Sequence, residues 1–112
     1  MIKPSIYTLI LSTTIGSLCL SAPALAQVDA EEVFKENDCH KCHHATKAKK
    51  GPSLAKIAAK YKDKKLDEKE AMKHMTGGKK VKLDDGTEED HKVIETKDPK
   101  VLSNMAKWIL SH

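Results

Sequence analysis

Two cysteines and three histidines crowd into six positions, Cys39-His40-Lys41-Cys42-His43-His44. Such a cluster can serve three chemistries. Cys39, Cys42 and two of the histidines offer the sulfur and nitrogen donors that zinc takes. Cys39 and Cys42 alone have the spacing of a redox dithiol. Cys39-x-x-Cys42-His43 is also the attachment signature of a c-type haem. In that case one helical turn brings both thiols to the vinyl groups on one porphyrin edge, and the next imidazole projects towards the iron.

The surrounding chain separates these options. Lys3 precedes an apolar run, residues 6–20, and Ala24 and Ala26 then give the small-x-small pattern of a signal peptidase site before Gln27. Residues 1–26 therefore read as a cleaved secretory signal. The run is short for a bilayer span and contains Ser, Thr and Gly, so no stable membrane insertion is expected after cleavage. Leu18 ahead of Cys19 argues against a lipoprotein. Cleavage leaves residues 27–112, 86 of the 112, as one small domain with a marginal core. Tyr7 and Cys19 leave with the signal, so one Phe, one Trp, one Tyr and two cysteines remain. With charged residues at 32% of the chain, such a domain needs a staple. Cysteines three apart close no loop of useful length, which points to a bound cofactor. Loss of Lys3 lowers the formal net charge from +4 to +3, and no Arg is present. A charge so modest and mixed, with almost no aromatic side chains for stacking, excludes a nucleic-acid binder.

The elements that must carry the cluster read as helices. The first is expected from Asp29, with Glu32 completing a capping box, and to run into the cysteine–histidine cluster. A basic loop, residues 45–50, ends at Gly51-Pro52. A second helix over 53–62 places Leu54, Ile57, Ala58 and Tyr61 on one face. A third over 67–76 starts at Asp67, carries Ala71, Met72 and Met75 inward and stops at Gly77-Gly78. Asp98 and Pro99 open the fourth, with Leu102, Met105, Ala106 and Ile109 on its apolar face. Residues 77–97 show no clear periodicity and read as a long ordered loop with a turn at Asp84-Asp85-Gly86. No strand is expected, and the fold class is all-α. A dithiol normally follows a strand in a βαβ setting, and a zinc site wants a second cysteine pair or a histidine knuckle. Haem attachment in an exported chain is the reading that remains.

With those residues in view, the chain resembles the small bacterial class I c-type cytochromes over nearly all of residues 27–112. "EEVFKENDCHKCH" is similar to the family's first helix and haem motif, "GPSLAKIAAKYK" to its second helix, and "LSNMAKWILS" to its last helix, including the Trp. The resemblance implies about four helices wrapped around one covalently attached haem c, held by Cys39, Cys42 and His43. It implies that the Pro52 carbonyl accepts a hydrogen bond from His43 Nδ1, fixing the tautomer. It also implies that the helix of Phe34 crosses the helix of Trp108.

One feature of the family is missing. Its small members usually place a Met ligand in the loop before the last helix, and this loop has none. His91 stands at a similar offset, 48 residues after His43 and 17 before Trp108. It is the expected second iron ligand, with Met75 and Met72 as alternatives. His74 and His112 are weaker candidates, and His40 and His44 are expected to be exposed. The resemblance implies an electron-transfer protein rather than an enzyme: a periplasmic monohaem carrier of single electrons. Bis-histidine ligation would lower its potential relative to Met/His ligation. Lys41, Lys47, Lys49 and Lys50 are a candidate docking patch for acidic surfaces of periplasmic redox partners. Two other readings carry different consequences. One is a cytochrome subunit of a larger oxidoreductase. The other is a haem enzyme or gas-binding protein with an open sixth site.

Overall fold

The computed structural model describes residues 29–112. The signal-peptide expectation, residues 1–26, therefore lies outside the described residues. Helices α1 (Ala30–Glu36), α2 (Leu54–Asp63), α3 (Glu68–Gly77) and α4 (Pro99–Leu110) account for most of the regular structure. Helix α4 packs against each of the other three. Its Met105 and Ala106 lie at the centre of the core, 1% and 0% exposed. Around them gather Val33 and Phe34 of α1, Leu54 of α2, Ala71 and Met75 of α3, and Ile94. Phe34 and Trp108 meet with ring centroids 5.2 Å apart and planes tilted by 58°, a favourable aromatic geometry where α1 meets α4.

The helix starts follow from local chemistry. Ser53 accepts from Lys56 N, Asp67 from Lys69 N and Glu70 N, and Asp98 from Lys100 N, each satisfying donors that a helix leaves unpaired. Asp29 likewise caps α1, through Glu31 N. Gly78, at φ 60°, ends α3 in the left-handed conformation.

Two expectations are corrected. Helix α1 does not run into the cysteine–histidine cluster. It stops at Glu36, and Cys39–Lys41 form a separate 3-10 turn. The Asn37 side-chain amide donates to the Val33 carbonyl at 2.9 Å, and Asp38 turns to φ 58°. Asn and Asp compete with helical backbone bonding in this way and tolerate the left-handed region better than most residues.

The segment between α3 and α4 is also not free of strands. Lys80–Lys82 (β1) pairs antiparallel with Glu88–Asp90 (β2), matching Lys80 to Asp90 and Lys82 to Glu88. Opposite charges across a strand pair stabilise it, and the pattern hid because every residue of β2 is acidic and exposed. The hairpin is small, and the described residues keep a four-helix, mainly helical fold. No helix among the described residues is long and apolar enough to cross a membrane.

Candidate functional site

The 3-10 turn gathers the cysteine–histidine cluster. Cys42 N and His43 N both donate to the Cys39 carbonyl, at 3.2 and 3.0 Å. Cys39 and Cys42 are free thiols and half-buried, and burial pushes the Cys39 thiol above its usual range. The basic loop then folds back over the turn. Gly51 N donates to the Cys42 carbonyl at 2.9 Å, and Leu54 N to the His44 carbonyl at 2.9 Å.

This return places Gly51-Pro52 against His43. His43 Nδ1 donates to the Pro52 carbonyl at 2.7 Å. With that proton committed, the lone pair of His43 belongs to Nε2, the form in which imidazole binds a metal. Gly51 is required by close approach: a Cβ there would stand 2.8 Å from His43 Cε1 and 3.2 Å from Nδ1. No side chain fits at that distance without displacing the ring or the Cys42 carbonyl behind it.

Opposite this wall stands His91. Its ring centroid is 6.2 Å from that of His43, with the planes at 44°. Five contacts fix the segment that carries it. His91 N donates to the Lys79 carbonyl at 2.9 Å, extending the hairpin ladder by one residue. Val93 Cγ2 would lie 3.1 Å from a Cβ at Gly78, so the chain there passes close to the end of α3. Ile94 is buried and its N–H donates to the Met75 carbonyl at 3.0 Å. Lys92 Nζ bonds Asp38 Oδ2 at 2.7 Å, and Glu95 N donates to Asn37 Oδ1 at 3.0 Å. The last two tie the His91 segment to the residues just ahead of Cys39. Burial lowers the pKa of His91, and His43 lowers it further.

His74, a weaker candidate from its sequence position, joins this group. Its ring centroid is 4.3 Å from that of His91. Although His74 is exposed overall, partial desolvation of its ring lowers its pKa, followed by the neighbouring His91 and His43. The spacing of three and four residues from Ala71 to His74 and Met75 was the available signal. Met75 itself is buried in the core, with Met72 packed beside it.

His112 lies elsewhere, against Trp108 at the end of α4. His40 and His44 are half-buried, not exposed as expected. His44 Nδ1 accepts from Thr46 N and Lys47 N, both at 3.1 Å, and so shapes the basic loop. Of the four candidate docking lysines, Lys41 pairs with Asp38 at 3.2 Å and Lys49 Nζ donates to the His40 carbonyl at 2.9 Å. All four remain exposed.

The donor set fits a covalently held haem. Two reduced thiols lie on one turn, and an imidazole has its tautomer fixed and a glycine cleared behind it. A family described as Cytochrome c matches the chain over residues 27–112. Among solved structures, the class 1 cytochrome MtoD from Sideroxydans lithotrophicus ES-1 is 44% identical, and the match covers 73% of this chain and 90% of that chain with a TM-score of 0.68. No curated protein matches. This chain belongs to the cytochrome c family, as a small class I electron-transfer cytochrome with one covalently bound haem c.

Proposed function

We propose that the protein is an exported, periplasmic carrier of single electrons whose haem iron is held between His43 and His91. The observation that carries this reading is the 6.2 Å separation of the two ring centroids. A metal–imidazole bond is about 2 Å long and the ring centre lies about 1 Å behind the nitrogen, so two imidazoles sharing one ion stand roughly 6 Å apart. Bound haem supplies a one-electron ferric–ferrous couple. The chain's own part would be to hold the His43 and His91 imidazoles with little movement between oxidation states. The Pro52 bond and Gly51 do so for His43, and the hairpin and the Asp38 and Asn37 contacts do so for His91.

Imidazole is a stronger donor than thioether and favours ferric iron, so the potential lies below that of a Met/His cytochrome. Cys39 and Cys42 attach the cofactor, and Lys41, Lys47, Lys49 and Lys50 flank that edge in sequence as a docking patch for acidic redox partners. Residues 1–26 direct export, so the mature N-terminus is Gln27.

The oxidised near-infrared spectrum is the test. The wild-type protein is expected to be low-spin without a Met–iron charge-transfer band. His91→Met is expected to gain that band and raise the potential in a spectroelectrochemical titration. A Met–iron band already present in the wild type would reject His91 and point to Met75 or Met72. Rapid carbon monoxide binding by the ferrous wild type at neutral pH would instead favour an open sixth site.

A further inference from the structure

His91 has two histidine neighbours from separate segments, His43 and His74. His43 follows the 3-10 turn, His91 follows β2, and His74 sits on α3. His74 and His91 are the closer pair, 4.3 Å between centroids against 6.2 Å for His43 and His91. A helix histidine on a plain solvated face would have no such neighbours.

The two imidazoles assigned to the iron are held very differently. His43 has its Nδ1 bonded to the Pro52 carbonyl at 2.7 Å and the Gly51 backbone behind its ring. His91 has a buried Nδ1 with no hydrogen-bond partner. A ligand histidine normally donates its second N–H to an acceptor, which orients the ring and strengthens it as a donor. His91 has only a weak approach to the Lys92 backbone in that role, so its ring is held less firmly than that of His43. Its segment is held by contacts to either side of the ring rather than to the ring itself.

His74 is anchored by a regular helix, about one ring's width from His91. Met75, the next residue, holds the His91 segment through its carbonyl, at 3.0 Å from Ile94 N. A change of side-chain rotamer moves a ring by such a distance without moving the helix.

We propose that His74 is a standby axial ligand, taking the position opposite His43 when His91 leaves it. The inference rests on the bis-histidine reading above. The exchange replaces one neutral imidazole nitrogen by another. Coordination number, charge and spin state are therefore conserved, and the site stays closed to external ligands. The device would keep the carrier six-coordinate while the His91 bond opens.

Ferric electron paramagnetic resonance and visible spectra of the holoprotein and three variants test this. His74→Ala and His91→Ala are each expected to stay low-spin without a Met–iron band, while the double variant turns high-spin. Added imidazole should return the double variant to a low-spin state, showing that its pocket is folded. A high-spin His91→Ala protein would overturn the standby role and leave the His91 assignment intact. A Met–iron band in His91→Ala would overturn it in favour of Met75 or Met72. Loss of the low-spin state in His74→Ala alone would overturn the His91 assignment itself, and the inference with it. A double variant that stays low-spin without added imidazole would likewise overturn the inference.

Discussion

A single methyl group at Gly51 would disturb the proximal side more than most larger changes elsewhere. The Cβ of Gly51→Ala meets a ring carbon of His43 at 2.8 Å and the Cys42 carbonyl at 3.3 Å. Neither neighbour can swing aside, because one is bonded to Pro52 and the other belongs to the backbone that accepts from Gly51 N. Overpacking of this kind costs about 1–3 kcal/mol, so the denaturation midpoint of Gly51→Ala should fall accordingly. A chemically different residue-scale test concerns Phe34, which is 6% exposed against Trp108. Phe34→Ala should cost about 3–5 kcal/mol. A double-mutant cycle with Trp108→Ala should recover about 0.5–1.5 kcal/mol of coupling from the ring pair.

Between elements, the decisive contacts run from the short stretch Asn37-Asp38 to Lys92 and Glu95. Lys92 holds the Asp38 carboxylate below its usual range, with Lys41 adding to the effect. A depressed carboxylate pKa means that this contact is fully formed above the ordinary carboxylate range and is lost only as pH falls through the lowered value. Amide exchange at Ile94, whose N–H is bonded to Met75, should therefore stay slow into mildly acidic solution. Asp38→Asn should show faster exchange there already at neutral pH. Exchange unchanged by that substitution would mean the ion pair does not hold the segment.

Local and distant contacts differ in how far the sequence displays them. The caps at Asp29, Asp67 and Asp98 were legible because each side chain bonds within three residues of itself. The break after Glu36 was not, because the local Asn37–Val33 bond is reinforced by partners of Asn37 and Asp38 that lie 58 and 54 positions away. The hairpin escaped for a related reason. Its strands are three residues each, and their pairing lies in Lys80 facing Asp90 and Lys82 facing Glu88, invisible until the register is known. The placement of His91 was legible only as an offset from His43, and its proximity to His74 not at all.

Across the whole molecule, the excess of lysine over acid is small, so long-range attraction to partners depends on where the lysines lie. Lys41 and Lys49 have local partners in Asp38 and the His40 carbonyl, which leaves Lys47 and Lys50 as the better probes of docking. Charge reversal at Lys47 and Lys50 should slow electron transfer with an acidic redox protein at low ionic strength. The difference should shrink above roughly 0.15 M salt, as screening shortens the reach of surface charge. Stopped-flow rates across a salt series would measure it.

The bridges from Asn37 and Asp38 to the His91 segment also bear on the order in which the chain folds. Each closes a loop of more than fifty residues, 58 and 54 positions between partners, and such closures are entropically the most demanding. Contacts of that separation form late, after local helices have assembled. His74 lies 31 positions from His43, a shorter closure than the 48 positions between His43 and His91. Under the standby role proposed above, His74 would reach the position opposite His43 before His91 does. His74→Ala should accordingly remove an early low-spin phase from the refolding trace while leaving the final spectrum unchanged. The hairpin would then act as a timer, bringing His91 to a position that a neighbouring helix already covers.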